Sequence, residues 1–190
     1  MNVISVILTS FLLQEEFQID FKEEIEKAVS IQNRIESTFQ ERIKLWDGDY
    51  ELCSSIIFPE LVRSSIIREK IENFLLLNFY NIHGSSFGNK SIGTFQMKPS
   101  FIEKLERELQ SYENLRKFDF IWEYPQGITE RQIREIRSNR LLSLTWQIDY
   151  LIAFVNLLDE FNNGSEFYLD NLLDKEEKIA MYAASYNSGN

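Results

Sequence analysis

The stretch Ser91-Ile92-Gly93-Thr94-Phe95-Gln96-Met97-Lys98-Pro99-Ser100-Phe101 sets a glutamine between two core-type side chains, Phe95 and Met97. Burying a primary amide is costly unless its donors and acceptor are hydrogen-bonded. Gln96 is therefore expected either to brace its own loop or to contact a ligand. Other residues that could do chemistry are sparse. His83, the sole histidine, lies in the loop-type segment Tyr80-Asn81-Ile82-His83-Gly84-Ser85-Ser86, and no nucleophile-elbow motif accompanies it. Cys53 is the sole cysteine, so no internal disulfide can form. Its apolar, helical flanks read as those of a buried thiol, and nothing near it has metal-ligand spacing. Gly88-Asn89-Lys90-Ser91 lacks the spacing of a phosphate-binding loop.

Three short stretches stand in order along the chain. The first is Ile57-Phe58-Pro59-Glu60-Leu61-Val62-Arg63; the second is Gly93-Thr94-Phe95-Gln96-Met97-Lys98-Pro99; the third is Ser185-Tyr186-Asn187-Ser188-Gly189. Together they resemble the catalytic-Glu, G-x-M-Q-x-x-P and A-Y-N-x-G motifs of the soluble-type lytic transglycosylases, in the lysozyme-like superfamily. The resemblance spans about residues 50–190. It departs from the family at Leu61, where serine is usual, and at Phe95, where methionine is usual. The intervals from Glu60 to Gly93 and from Gln96 to Tyr186 are also longer than usual.

The resemblance implies a lysozyme-like, mainly α domain that cleaves the β-1,4 bond between N-acetylmuramic acid and N-acetylglucosamine, using no cofactor and no metal. Glu60 would be the general acid and then the base, leaving 1,6-anhydro ends. Gly93, Gln96, Tyr186 and Asn187 would bind substrate, with Tyr186 on the Glu60 carboxyl or the sugar. Gly93 would let the loop backbone come close. Peptidoglycan strands would be the partner, in the periplasm, the cell envelope or outside the cell. A general acid at neutral pH needs a carboxyl raised from about 4.3 toward about 6. Burial among Ile56, Ile57, Phe58 and Leu61 would do this, whereas a place in the first helical turn after Pro59 would oppose it. A helical binding or scaffold protein without turnover is the alternative.

These residues need elements to position them. The chain has 190 residues, 44% of them aliphatic or aromatic, with 7 Gly and 3 Pro. That composition fits a globular, all-α fold better than a many-stranded one. A formal net charge of −10 supplies no basic surface for nucleic acid. Residues 3–13 form an apolar run too short to span a bilayer. Residues 1–14 are therefore a possible signal peptide or N-terminal extension, or else a first packed element; residues 15–190 form the domain. Apolar steps of three and four predict a helix over 15–46, with a break near Ser30. A turn at 47–50 and a short helix over 50–57, stopped by Pro59, follow. Helices are expected over 61–80, over 100–118 from Pro99, and after a capping box at Thr129 and Gln132. Residues 141–161, apolar nearly all round, read as the buried central helix. Gln147, Asp149, Asn156 and Asp159 within it argue against a membrane span. Asp174 and Glu177 signal the start of a last helix. The segments holding Glu106 and Arg131–Arg140 read first as solvated faces, the latter with a second use in meeting anionic peptide stems.

Overall fold

The structure, a computed structural model, describes residues 15–66, 70–163 and 174–188. The apolar run at 3–13 and Gly189 lie outside the described residues. Eight α-helices and one 3-10 helix make up most of what is described, and the sole β feature there is an isolated bridge between Ile92 and Met97. The fold is all-α.

Helix α1, Glu15–Trp46, runs without a break at Ser30. Ala28, Gln32, Ile35, Phe39 and Ile43 are its buried stripe, at the three- and four-residue steps of one helix face. Asp47 ends it with a left-handed φ of 53°. Helix α2, Tyr50–Ile66, buries every residue from Leu52 to Phe58. Pro59 does not stop it: the helix continues through the proline. The ring removes one backbone donor, at a cost of about 3 kcal/mol in an isolated helix. Packing of α2 against α1, α7 and α8 outweighs that loss.

Helix α3, Lys70–His83, and α2 together replace the single helix expected over 61–80. Helix α4, Pro99–Leu109, starts with proline at its first turn, where the missing N–H costs nothing. The helix expected to reach 118 instead breaks at Gln110 and Ser111. A 3-10 helix, Glu113–Phe118, and the one-turn α5, Asp119–Trp122, follow. Helix α6, Glu130–Leu142, carries the capping box formed by Thr129 and Gln132. Ser143 separates it from α7, Leu144–Asn163, and the two axes meet at 97°. The central helix thus begins at Leu144 rather than 141. Residues Gln147 to Val155 are all buried, and α7 packs on α1, α2, α4, α6 and the 3-10 helix. Helix α8, Lys175–Ser188, begins at Asp174, whose carboxylate accepts from the N–H groups of Glu176 and Glu177. Glu177 returns the bond to the Asp174 N–H at 3.1 Å, completing the box.

Two buried charge clusters tie the helices together. Arg42 of α1 forks onto Asp149 of α7 with two 2.7 Å bonds, and the Trp46 indole donates to the same carboxylate. Arg137 of α6 donates to Glu106 of α4 and, at 2.7 Å, to the Tyr80 hydroxyl of α3. Tyr124 also donates to Glu106, at 2.6 Å. Glu106 and Arg137 are therefore core groups, not parts of solvated faces. Their charges are tolerated inside because each is paired and hydrogen-bonded. No single helix among the described residues is long and apolar enough to cross a membrane.

Candidate active site around Glu60

Residues 92–97 fold as a tight hairpin. Ile92 and Met97 exchange both backbone hydrogen bonds, at 2.8 and 3.0 Å. Gly93 and Gln96 close the turn with φ of 76° and 52°. Such values strain residues with a Cβ, and glycine adopts them without penalty. Gly93 is required for a second reason: a Cβ there would lie 2.1 Å from Gln147 Nε2 and 2.7 Å from the Leu141 carbonyl oxygen. The close approach expected at Gly93 is thus to the scaffold. Gly93 is not among the residues that line the pocket described below.

Gln96 braces its loop. Its Nε2 donates to the Gly93 carbonyl at 2.7 Å, which fixes the left-handed turn. The rest of the side chain reaches the pocket wall. Among the described residues its Oε1 receives no hydrogen bond, so the amide has an acceptor to offer. Both readings of Gln96 raised by the sequence therefore have a place in the geometry.

Two further groups hold the hairpin. Gln147 of α7, 1% exposed, accepts the Phe95 N–H through Oε1 and donates through Nε2 to the Leu141 carbonyl, each at 2.7 Å. Tyr186 of α8 donates its hydroxyl to the Phe95 carbonyl at 2.7 Å. Its ring packs edge-on against Phe101 and Phe154. Burial, with help from the nearby Glu60 charge, pushes the Tyr186 phenol well above its ordinary range. The family resemblance put Tyr186 on the Glu60 carboxyl or the sugar. The structure gives its proton to the hairpin instead, because the Phe95 carbonyl would otherwise be buried without a partner.

Glu60 sits eleventh in the 17 residues of α2. It is not in a first turn, so the expected opposition from an N-terminal dipole does not arise. Its side chain is buried, and Arg63, one turn on, donates to Oε2 at 2.5 Å. Burial raises the carboxyl above its ordinary range; Arg63 and, less strongly, Lys98 pull it down, and the net direction is upward. The desolvation looked for at Glu60 is present, with a cationic counterweight.

Glu60, Gln96, Tyr186 and Asn187 line one pocket, together with Arg63, Ser91, Met97, Lys98 and Phe101. The fold thus brings parts of α2, the hairpin and α8 to a common wall. Asn187 stands exposed at its rim. The space enclosed is about 20 Å³, room for about one water molecule. A larger apolar cavity of about 400 Å³ lies between α4 and α7, and Phe101 and Tyr112 are part of its lining. Phe101 contributes to both.

His83 lies away from this wall, between the rings of Phe79 and Phe87. Cys53 is fully buried, which pushes its thiol up and out of reactive range. All four arginines of α6 have internal partners. Arg131 holds Glu135, Arg134 the Asn81 carbonyl, Arg137 Glu106, and Arg140 the Ile121 carbonyl.

Sequence reasoning missed the roles of Gln147, Arg63 and Lys98. Gln147 carried a signal, as a polar residue amid the apolar residues of α7. Arg63 carried one in its three-residue spacing from Glu60, which places both on one helix face. Lys98 carried none, since its approach depends on the hairpin. Comparison of the chain with protein-family models, with curated proteins and with solved structures finds no match.

Proposed function

We propose that the Glu60 pocket is the active site of a lytic transglycosylase with a lysozyme-like arrangement of helices, acting on peptidoglycan glycan strands. One observation carries the reading: a buried, upward-shifted carboxyl shares a wall with Gln96, Tyr186 and Asn187, which come from distant parts of the sequence. In this reaction the Glu60 carboxyl gives its proton to the bridging glycosidic oxygen as the C1–O bond breaks. The substrate's own N-acetyl group steadies the positive sugar, so no second carboxylate is needed. The Glu60 carboxylate then takes the proton from the muramyl 6-hydroxyl while O6 bonds to C1. Atoms balance without water, and the product is a 1,6-anhydro end. Gln96 Oε1 and Asn187 are the groups able to meet the sugar's amide and hydroxyls. Tyr186 acts at one remove, by holding the hairpin that presents Gln96.

A second reading, a helical binding or scaffold protein without turnover, is favoured by two observations. The pocket holds only about 20 Å³, and Arg63 already occupies Glu60. Digestion of purified sacculi, followed by turbidity, separates the two. Clearing by the wild type and none by Glu60→Gln supports the enzyme; no clearing by either supports the binding protein.

A further inference from the structure

The walls of the Glu60 pocket bring two cations, Arg63 of α2 and Lys98 at the end of the hairpin, to one carboxylate. This happens in a chain with 30 acidic and 20 basic residues. Arg63 spans the boundary of the pocket: its side chain is 51% exposed, whereas that of Glu60 is 3% exposed. The guanidinium therefore has one side on the buried acid and another open to whatever enters. Lys98 forms no ion pair with any described residue. The groups facing Glu60 are then Arg63 from its own helix, Lys98 from the hairpin and the protonated Tyr186 from α8.

We infer that Arg63 and Lys98 form an anion subsite beside the candidate acid, and that it selects a sugar bearing a carboxylate. The inference rests on the glycan-cleaving reading for the identity of the sugar. Of the two sugars in the strand, only the muramic residue carries an anionic substituent on O3: the lactyl carboxylate where no peptide is attached, or the carboxylates of the stem peptide where the lactyl group is amide-linked to it. When such a carboxylate enters, it meets the exposed edge of Arg63, and a planar guanidinium can transfer a two-pronged contact from one carboxylate to another. Arg63 is a specificity and positioning residue here. Moving it from Glu60 to the ligand removes the main charge that opposes protonation of Glu60, so a correct substrate also prepares the acid. A neutral sugar leaves the resting pair intact. This links the ion pair, which otherwise speaks against catalysis, to substrate choice.

The test is binding by calorimetry with three disaccharide probes of N-acetylglucosamine and N-acetylmuramic acid. One carries the free lactyl acid, one its methyl ester, and one the stem peptide. The expected result is that a carboxylate-bearing probe binds about tenfold more tightly than the ester, the scale of one charge-assisted hydrogen bond. A tight free acid places the recognised carboxylate on the lactyl group; a tight peptide probe with a weak free acid places it on the stem. Arg63→Gln is expected to bring the preference within about twofold, and Lys98→Gln, which leaves the Glu60 pair in place, to reduce it. Equal binding of all three probes, no binding of any, or an undiminished preference in Arg63→Gln overturns the inference. The wild-type comparison needs no variant to fold. Sacculus clearing by the wild type is read in parallel: retained clearing with equal binding removes the subsite alone, whereas absent clearing removes the enzyme reading.

Discussion

The Tyr186 hydroxyl donates to the Phe95 carbonyl at 2.7 Å and joins residues 91 positions apart. The candidate site is thus closed by α8, the last described element, acting on a hairpin between α3 and α4. Phe95 is gripped on both polar sides, since its N–H goes to Gln147 on α7.

Tyr186→Phe keeps the ring packing and removes only that bond. It leaves a buried carbonyl unpaired, so a loss of about 1–3 kcal/mol is expected in urea unfolding. Hydrogen exchange at the Phe95 and Gln96 amides should quicken beyond the global change. Unchanged protection there would show that the hairpin stands without the phenol.

Gly93→Ala meets both the positive φ and the Gln147 side chain. A cost of about 2 kcal/mol or more is expected, measurable as a lower urea midpoint. The double variant Gly93→Ala with Gln147→Ala makes room but orphans the Phe95 N–H. It should remain less stable than the wild type, with the two costs coupled rather than additive.

Glu60 has its folded-state carboxyl above the unfolded value, so the folded chain binds that proton more tightly. Stability from this group is then fully present below the unfolded value and is lost as pH rises through the folded one. Asp149, raised by burial although Arg42 and the Trp46 indole pull it down, acts in the same direction. Glu60→Gln mimics the neutral acid and should match the wild type at about pH 3 and exceed it at about pH 7 in melting temperature. A variant that loses ground toward neutral pH would mean that Arg63 outweighs burial.

Glu106→Gln leaves Arg137 deep in the core without its main counter-charge. A loss of about 3–5 kcal/mol is expected from breaking one side of a buried pair, seen in thermal or urea unfolding. A neutral outcome would mean that Glu103, whose Oε1 lies 3.4 Å from Arg137 Nη1, and the Tyr80 hydroxyl suffice to hold the guanidinium.

Much of the helical frame was legible because periodicity and caps are local. The stripe of α1, the Thr129–Gln132 box and the Asp174 start are all written in short spacings. The departures trace to forces that spacing does not carry. Pro59 was expected to end a helix, and tertiary packing overrode the local penalty. Glu106 and Arg137 read as solvated because each is charged in isolation, while their pairing spans 31 residues. At the site, Gln96 and Gly93 announced a special turn through residue type. That Gly93 approaches Gln147, and that Tyr186 serves Phe95, depends on how α7 and α8 dock, which no single segment specifies.

Everything proposed for catalysis depends on the Glu60 proton reaching a glycosidic oxygen. The most direct measurement is mass spectrometry of the material released from purified sacculi by the wild type and by Glu60→Gln. The wild type should release muropeptides lighter by one water than the hydrolysed form, and Glu60→Gln should release none. No release by the wild type, or equal release by both proteins, would contradict the assignment.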